Sequence, residues 1–153
     1  MCLRENIRKS ELEVRKLKKI IALLMIVAVC LSFSACGKVN NCIVYYGESD
    51  LYTPMDIDSA VSVIKSEFVF NFDGCTLLTL EYMGDDVSKE NLDYCIALGD
   101  GTQFDESIVF TSSYRTPPNG DEVLPPNEIR EYWEWTLARE SGGEWELLTY
   151  GYP

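Results

Sequence analysis

The chain contains no histidine, which excludes a Ser-His-Asp triad, a Cys-His nucleophile and any histidine-ligated metal within it. No Cys-x-x-Cys pair occurs, so the six cysteines lack the spacing of a zinc or redox motif. No apolar run reaches the ~20 residues that a spanning helix needs; the longest begins at Ile20 and is diluted beyond Phe33. Positive charge is scarce after residue 35. Residues 1–35 hold seven Lys or Arg against three Glu, a balance of +4, whereas residues 36–153 hold six against 22 acidic side chains, a balance of −16. Phosphate backbones repel a body of that sign, so nucleic acid is not an expected partner.

What is present suits one globular domain: 153 residues, 46% hydrophobic and 25% charged. Arg15, Lys16, Lys18 and Lys19 stand directly before the apolar run Ile20 to Leu31, after which small residues take over. That order is an export signal. The preceding Met1 to Glu13 stretch is long for such a signal and holds Glu5, Glu11 and Glu13, so a start at Val14 would give a more compact leader.

The run ends in Phe33-Ser34-Ala35-Cys36-Gly37, which resembles the lipobox of bacterial lipoprotein signal peptides. The resemblance implies that the Cys36 thiol receives a diacylglycerol, with palmitate among the acyl chains. The peptide is cut before that residue and Cys36 becomes the mature N-terminus on the extracytoplasmic face of the cell membrane. Phe33 departs from the usual leucine. An uncleaved anchor and an ordinary secretory signal are the alternatives. The expected division is a removed signal peptide at 1–35, the lipidated cysteine and a tether at 36–49, and one domain at 50–153. Within the tether, Cys42 to Tyr46 is the stretch that could become ordered.

Thr53-Pro54-Met55-Asp56 supplies a cap, a first-turn proline and an acid at the third position, and Ile57, Ala60, Val61, Ile64 and Phe68 follow at helical spacing. The pattern predicts a helix over 54–69. Cys75 to Tyr82 reads as a strand, Ser88 as the cap of a shorter helix carrying Leu92, Cys95 and Ile96, and Ser107 to Tyr114 as a second strand. Ile129 to Arg139 alternates with Trp133, Trp135 and Leu137 on one side, and Ser141-Gly142-Gly143 turns it into Glu144 to Tyr150. The expected fold is α+β, a curved antiparallel sheet of about four strands packed against a long N-terminal helix and a shorter second helix.

After processing, the thiols of Cys42, Cys75 and Cys95 remain, an odd number that implies no disulfide framework. If a bridge forms, Cys75–Cys95 is favoured; buried free thiols are the plainer expectation. Asp85-Asp86 and Asp100 to Glu106 lack the alternation of a calcium loop, so no metal and no cofactor are expected. Trp133, Trp135, Leu137 and Trp145 are candidate pocket-lining residues, with a filled core as the competing reading. Glu131 and Glu134 near Tyr132 are candidates for a general acid and base, and no catalytic residue is assigned. Arg139 is expected to pack its stem on Trp145 with its head in water.

Cys36, the helix ending in Phe68, the strand from Gly74 to Tyr82, and the ending from Trp135 through Trp145 to Tyr152 together resemble small Gram-positive lipoproteins of unknown function. Those are similar to the cone-shaped nuclear-transport-factor and cystatin-like α+β folds. The resemblance implies a pocket between helix and sheet, and no catalytic residues. The functional expectation is a lipid-anchored, monomeric, non-enzymatic module that binds an unknown protein or small ligand. The alternatives are an enzyme using a buried carboxylate and a tyrosine, or a purely structural accessory protein.

Overall fold

The computed structural model describes residues 37–99, 101–120 and 123–153. The expected signal peptide at 1–35 and the expected lipidation site, Cys36, lie outside the described residues. Five strands, β1 (Ile43–Tyr45), β2 (Thr76–Tyr82), β3 (Glu106–Arg115), β4 (Ile129–Arg139) and β5 (Glu146–Gly151), form one open sheet in sequence order. Helix α1 (Pro54–Asn71) connects β1 to β2, and the short helices α2 (Asp85–Glu90) and α3 (Leu92–Leu98) connect β2 to β3.

The fold is therefore α+β as expected, with a mixed sheet rather than a purely antiparallel one. β1 runs parallel to β2, because a parallel neighbour needs a long crossover and the 18 residues of α1 provide it. The α1 start follows its sequence signal: the Thr53 hydroxyl accepts from the Asp56 amide, while the Asp56 carboxylate accepts from the Thr53 amide. Its buried stripe is Ile57, Ala60, Val61, Ile64 and Phe68. This stripe packs on Leu77, Leu80, Ile108, Phe110, Trp135 and Leu137 of the sheet.

The expected tether is part of the fold. The Gly37 amide donates to the Val69 carbonyl at 3.1 Å, and Lys38 forms a parallel bridge with Thr76 before β1 begins. A methyl group on Gly37 would lie 2.4 Å from the Phe68 carbonyl oxygen and 3.0 Å from that of Phe72. Only glycine permits that approach. The stretch from 37 to 49 is thus ordered against β2 and α1, and the domain begins before the expected boundary at residue 50.

The second helix also differs. It starts at Asp85 and breaks at Asn91 into α2 and α3. Ser88 lies inside α2, buried, and its carbonyl accepts from the Ser107 hydroxyl instead of Ser88 capping the helix. The pair covers the reverse face of the sheet. Cys95 and Phe104 there meet Ala138 and Leu148, each adjacent to Leu137 or Leu147 of the first core and so pointing the opposite way. Cys75 belongs to the α1-side core and Cys95 to this smaller one, and both are buried and in no disulfide. The favoured Cys75–Cys95 bridge is absent because the sheet separates the two thiols. Burial pushes the Cys95 thiol up to about 11, so it stays protonated.

Candidate functional site

The two ends of the α1–sheet interface are built differently. At the α1 N-terminal end every large polar-edged ring has a partner. The Trp145 indole donates to the Asp56 carbonyl at 3.0 Å, and the Tyr52 hydroxyl donates to the Ser107 carbonyl at 2.7 Å. Burial pushes the Tyr52 phenol far above its ordinary range. Arg139 stacks over Trp145 with its carbon centre 4.1 Å from the ring, as the sequence suggests. Its head is buried rather than solvated. One guanidinium nitrogen lies 2.9 Å from Asp56 and another pairs with Glu106.

At the α1 C-terminal end, chain segments leave a cavity of about 610 Å³. Phe72 comes from just beyond α1, Tyr114 from the end of β3, Arg130 and Trp133 from the start of β4, and Tyr150 from β5. Tyr152 and the loop residues Val123 and Leu124 complete the walls. The rings form a continuous aromatic wall. Phe72 meets Tyr114 at 5.4 Å, Trp133 at 5.8 Å and Tyr150 at 5.8 Å, and Trp133 meets Tyr152 edge-on at 5.0 Å. Burial pushes the Tyr114 phenol up to about 12.

Two donors at this end have no partner among the described residues: Nε of Arg130 and Nε1 of Trp133, both covered by protein. An unmade bond at a buried donor costs ~1–3 kcal/mol, and because both atoms are covered, an acceptor in the cavity reaches either one only after its side chain turns. The other edge of the Arg130 guanidinium is neutralised by Glu128 at 2.7 Å, and Asp73 adds a carboxylate to the lining.

A bulge shapes the mouth. Ser112 pairs with Trp133 and Tyr114 with Arg130, so Glu131 and Tyr132 together oppose the single residue Ser113, one residue more than regular pairing allows. The bulge places Tyr132 at φ 61° with its ring exposed. A non-glycine residue in that region costs about 1 kcal/mol or more.

Of the four candidate pocket residues, only Trp133 lines the cavity. Trp135 and Leu137 are fully buried in the core, where the Trp135 indole donates to the Ser112 hydroxyl at 2.9 Å, and Trp145 lies at the opposite end. Glu131 is exposed and Glu134 half-buried, and neither lines the cavity. Asp85, one of the acids weighed for calcium, instead fastens a loop: it accepts from the Ser49 hydroxyl, the Asp50 amide and the Tyr82 hydroxyl. The residues that sequence reasoning missed are Phe72, Tyr114, Arg130, Tyr150 and Tyr152. Their one shared signal is an aromatic or arginine within two residues of a helix or strand end. Comparison with known protein families, curated proteins and solved structures finds no match for this chain.

Proposed function

We propose that the protein is a lipid-anchored extracytoplasmic binding module that takes a small, uncharged, largely apolar ligand into the aromatic cavity. The observation that carries the binding half is the open cavity itself, with the rings of Phe72, Tyr114, Trp133, Tyr150 and Tyr152 in its lining and two unpartnered donors, Arg130 Nε and Trp133 Nε1, covered behind it. A flat or chain-like hydrocarbon body gains from the rings of Phe72, Tyr114 and Tyr150, and an ester, amide or ketone oxygen answers the donors once either side chain turns toward it. The lipobox resemblance at Cys36 carries the anchoring half. Two or three acyl chains hold a domain durably, at ~0.8 kcal/mol per buried CH₂.

Titration with N-phenyl-1-naphthylamine, a neutral dye that brightens in apolar surroundings, tests the cavity. A saturable one-to-one rise in emission is expected, weakened roughly tenfold by Trp133→Ala, equivalent to ~1.4 kcal/mol. No rise, or a rise that Trp133→Ala leaves unchanged, contradicts the binding reading. For the anchor, Cys36→Ala is expected to leave an unprocessed precursor that incorporates no labelled palmitate. Normal processing of that variant contradicts the anchoring reading.

A further inference from the structure

The ordered Gly37 removes the slack that a tether would provide. Its amide is bonded to Val69, its backbone is pressed against Phe68 and Phe72, and the next amide, of Lys38, donates to the Cys75 carbonyl at 2.9 Å. Phe72 and Cys75 both line the cavity. The first described residue, Gly37, thus lies at the cavity end, so the chain enters the domain there.

Large apolar side chains are exposed at both ends, Leu51, Met55, Tyr94 and Leu98 among them at the far one, and charge is what tells the ends apart. Those around the cavity end are Phe70 in the last turn of α1, Val123 in the loop, Ile129 at the start of β4, and Tyr132 and Tyr152. Tyrosines at the rim of an apolar patch are the side chains that favour a membrane–water boundary. Charge is divided along the long axis. The described segments 46–59, 83–99, 101–107 and 139–146, at the far end, hold 13 acidic against two basic side chains. The described segments 37–42, 66–76, 113–120, 123–131 and 150–153, at the cavity end, hold four acidic against three basic. β4 alone, at 11 residues, spans about 35 Å, so the acidic pole can stand several Debye lengths from a surface at physiological salt.

We infer that the cavity end lies directly on the bilayer that holds Cys36, with Phe70 and Tyr132 in the interface and the acidic pole directed away from the lipid. The inference rests on the anchoring reading above. It makes the surface around the cavity mouth a lipid-contact face, and an apolar ligand then reaches the aromatic wall from the membrane without crossing water.

The two ends of α1 supply the test. Phe70 and Met55 are both highly exposed and, 15 residues apart, are separated by about 22 Å along the helix. Each is replaced by cysteine in a Cys42→Ser background, since Cys75 and Cys95 are buried. The full-length precursor is processed in a bacterial host, labelled with an environment-sensitive dye, and reconstituted in vesicles containing spin-labelled phosphatidylcholine. Intact mass confirms the acyl chains first. The expected result is loss of most dye emission in Phe70→Cys and none beyond a free-protein control in Met55→Cys. A Gly-Ser insertion between Cys36 and Gly37 is expected to restore emission at position 70. Equal quenching at both positions in acylated protein, or no effect of the insertion, overturns the orientation while leaving the anchor intact. A mass without acyl chains overturns the anchor, and the orientation with it.

Discussion

The N-terminal and C-terminal ends of α1 meet the same sheet with similar aromatic material and opposite outcomes. At the first, Tyr52 and Trp145 pack edge to face at 5.5 Å, and each polar edge has a partner: a backbone carbonyl for each ring, and two carboxylates for the adjacent Arg139. At the second, Trp133 and Arg130 keep donors without partners, Tyr132 is held in a costly backbone conformation, and about 610 Å³ stays open. Aromatic residues alone do not make a site. A ring whose polar edge is satisfied closes the interface, and a ring whose edge is not satisfied marks the place where something else can be received.

Substitutions at the two ends should separate stability from binding, and the largest effect is expected between them. Trp135→Ala removes a fully buried ring and leaves the Ser112 hydroxyl short of its indole donor. It should cost about 3–5 kcal/mol in urea unfolding. At the closed end, Arg139→Met leaves Asp56 and Glu106 without their cation and should cost about 2 kcal/mol at neutral pH, less than a fully buried pair because both carboxylates are partly exposed.

The pH dependence of that loss follows from Asp56. The Thr53 hydroxyl first, and Arg139 after it, hold its carboxyl below the ordinary value of 3.8. A depressed folded value contributes stability that is fully present above pH 3.8 and disappears as pH falls through the lower folded value. The difference between wild type and Arg139→Met, followed by urea midpoints, should therefore shrink below that pH. A constant difference would remove Asp56 from the explanation.

Gly37→Ala forces a methyl group against the Phe68 carbonyl and should cost about 1–3 kcal/mol, with faster amide exchange at Lys38 and Leu77. Unchanged stability and exchange would mean that the segment is a tether after all. Trp133→Ala should be the mildest, about 1–2 kcal/mol, because the ring borders open space and is only half-buried. Its main effect should be on ligand.

The same division explains what could be read from the sequence. The α1 start was legible because Thr53, Pro54 and Asp56 act within one turn, and the β4–β5 hairpin because Ser141-Gly142-Gly143 separates two patterned strands. β1 was not, since three residues paired in parallel with β2 depend on a contact 36 positions away. The even alternation expected along β4 fails at the Glu131–Tyr132 bulge, and its far half is buried on both faces because α3 covers the reverse side. Trp135, Leu137 and Trp145 looked like Trp133 in sequence. What distinguishes them is a partner, Ser112 or Asp56, or a position in the core that only the folded chain supplies. The cavity gathers residues from five separated segments, and no local pattern encodes such convergence.

The three indole N–H groups give separate signals in a nitrogen–proton correlation spectrum, and they sample both ends of the interface. On titration with N-phenyl-1-naphthylamine, the Trp133 signal is expected to move with saturation. Those of Trp135 and Trp145, bonded to Ser112 and Asp56, should stay in place. Equal movement of all three, or movement of Trp145 alone, would contradict ligand binding at the open end of α1.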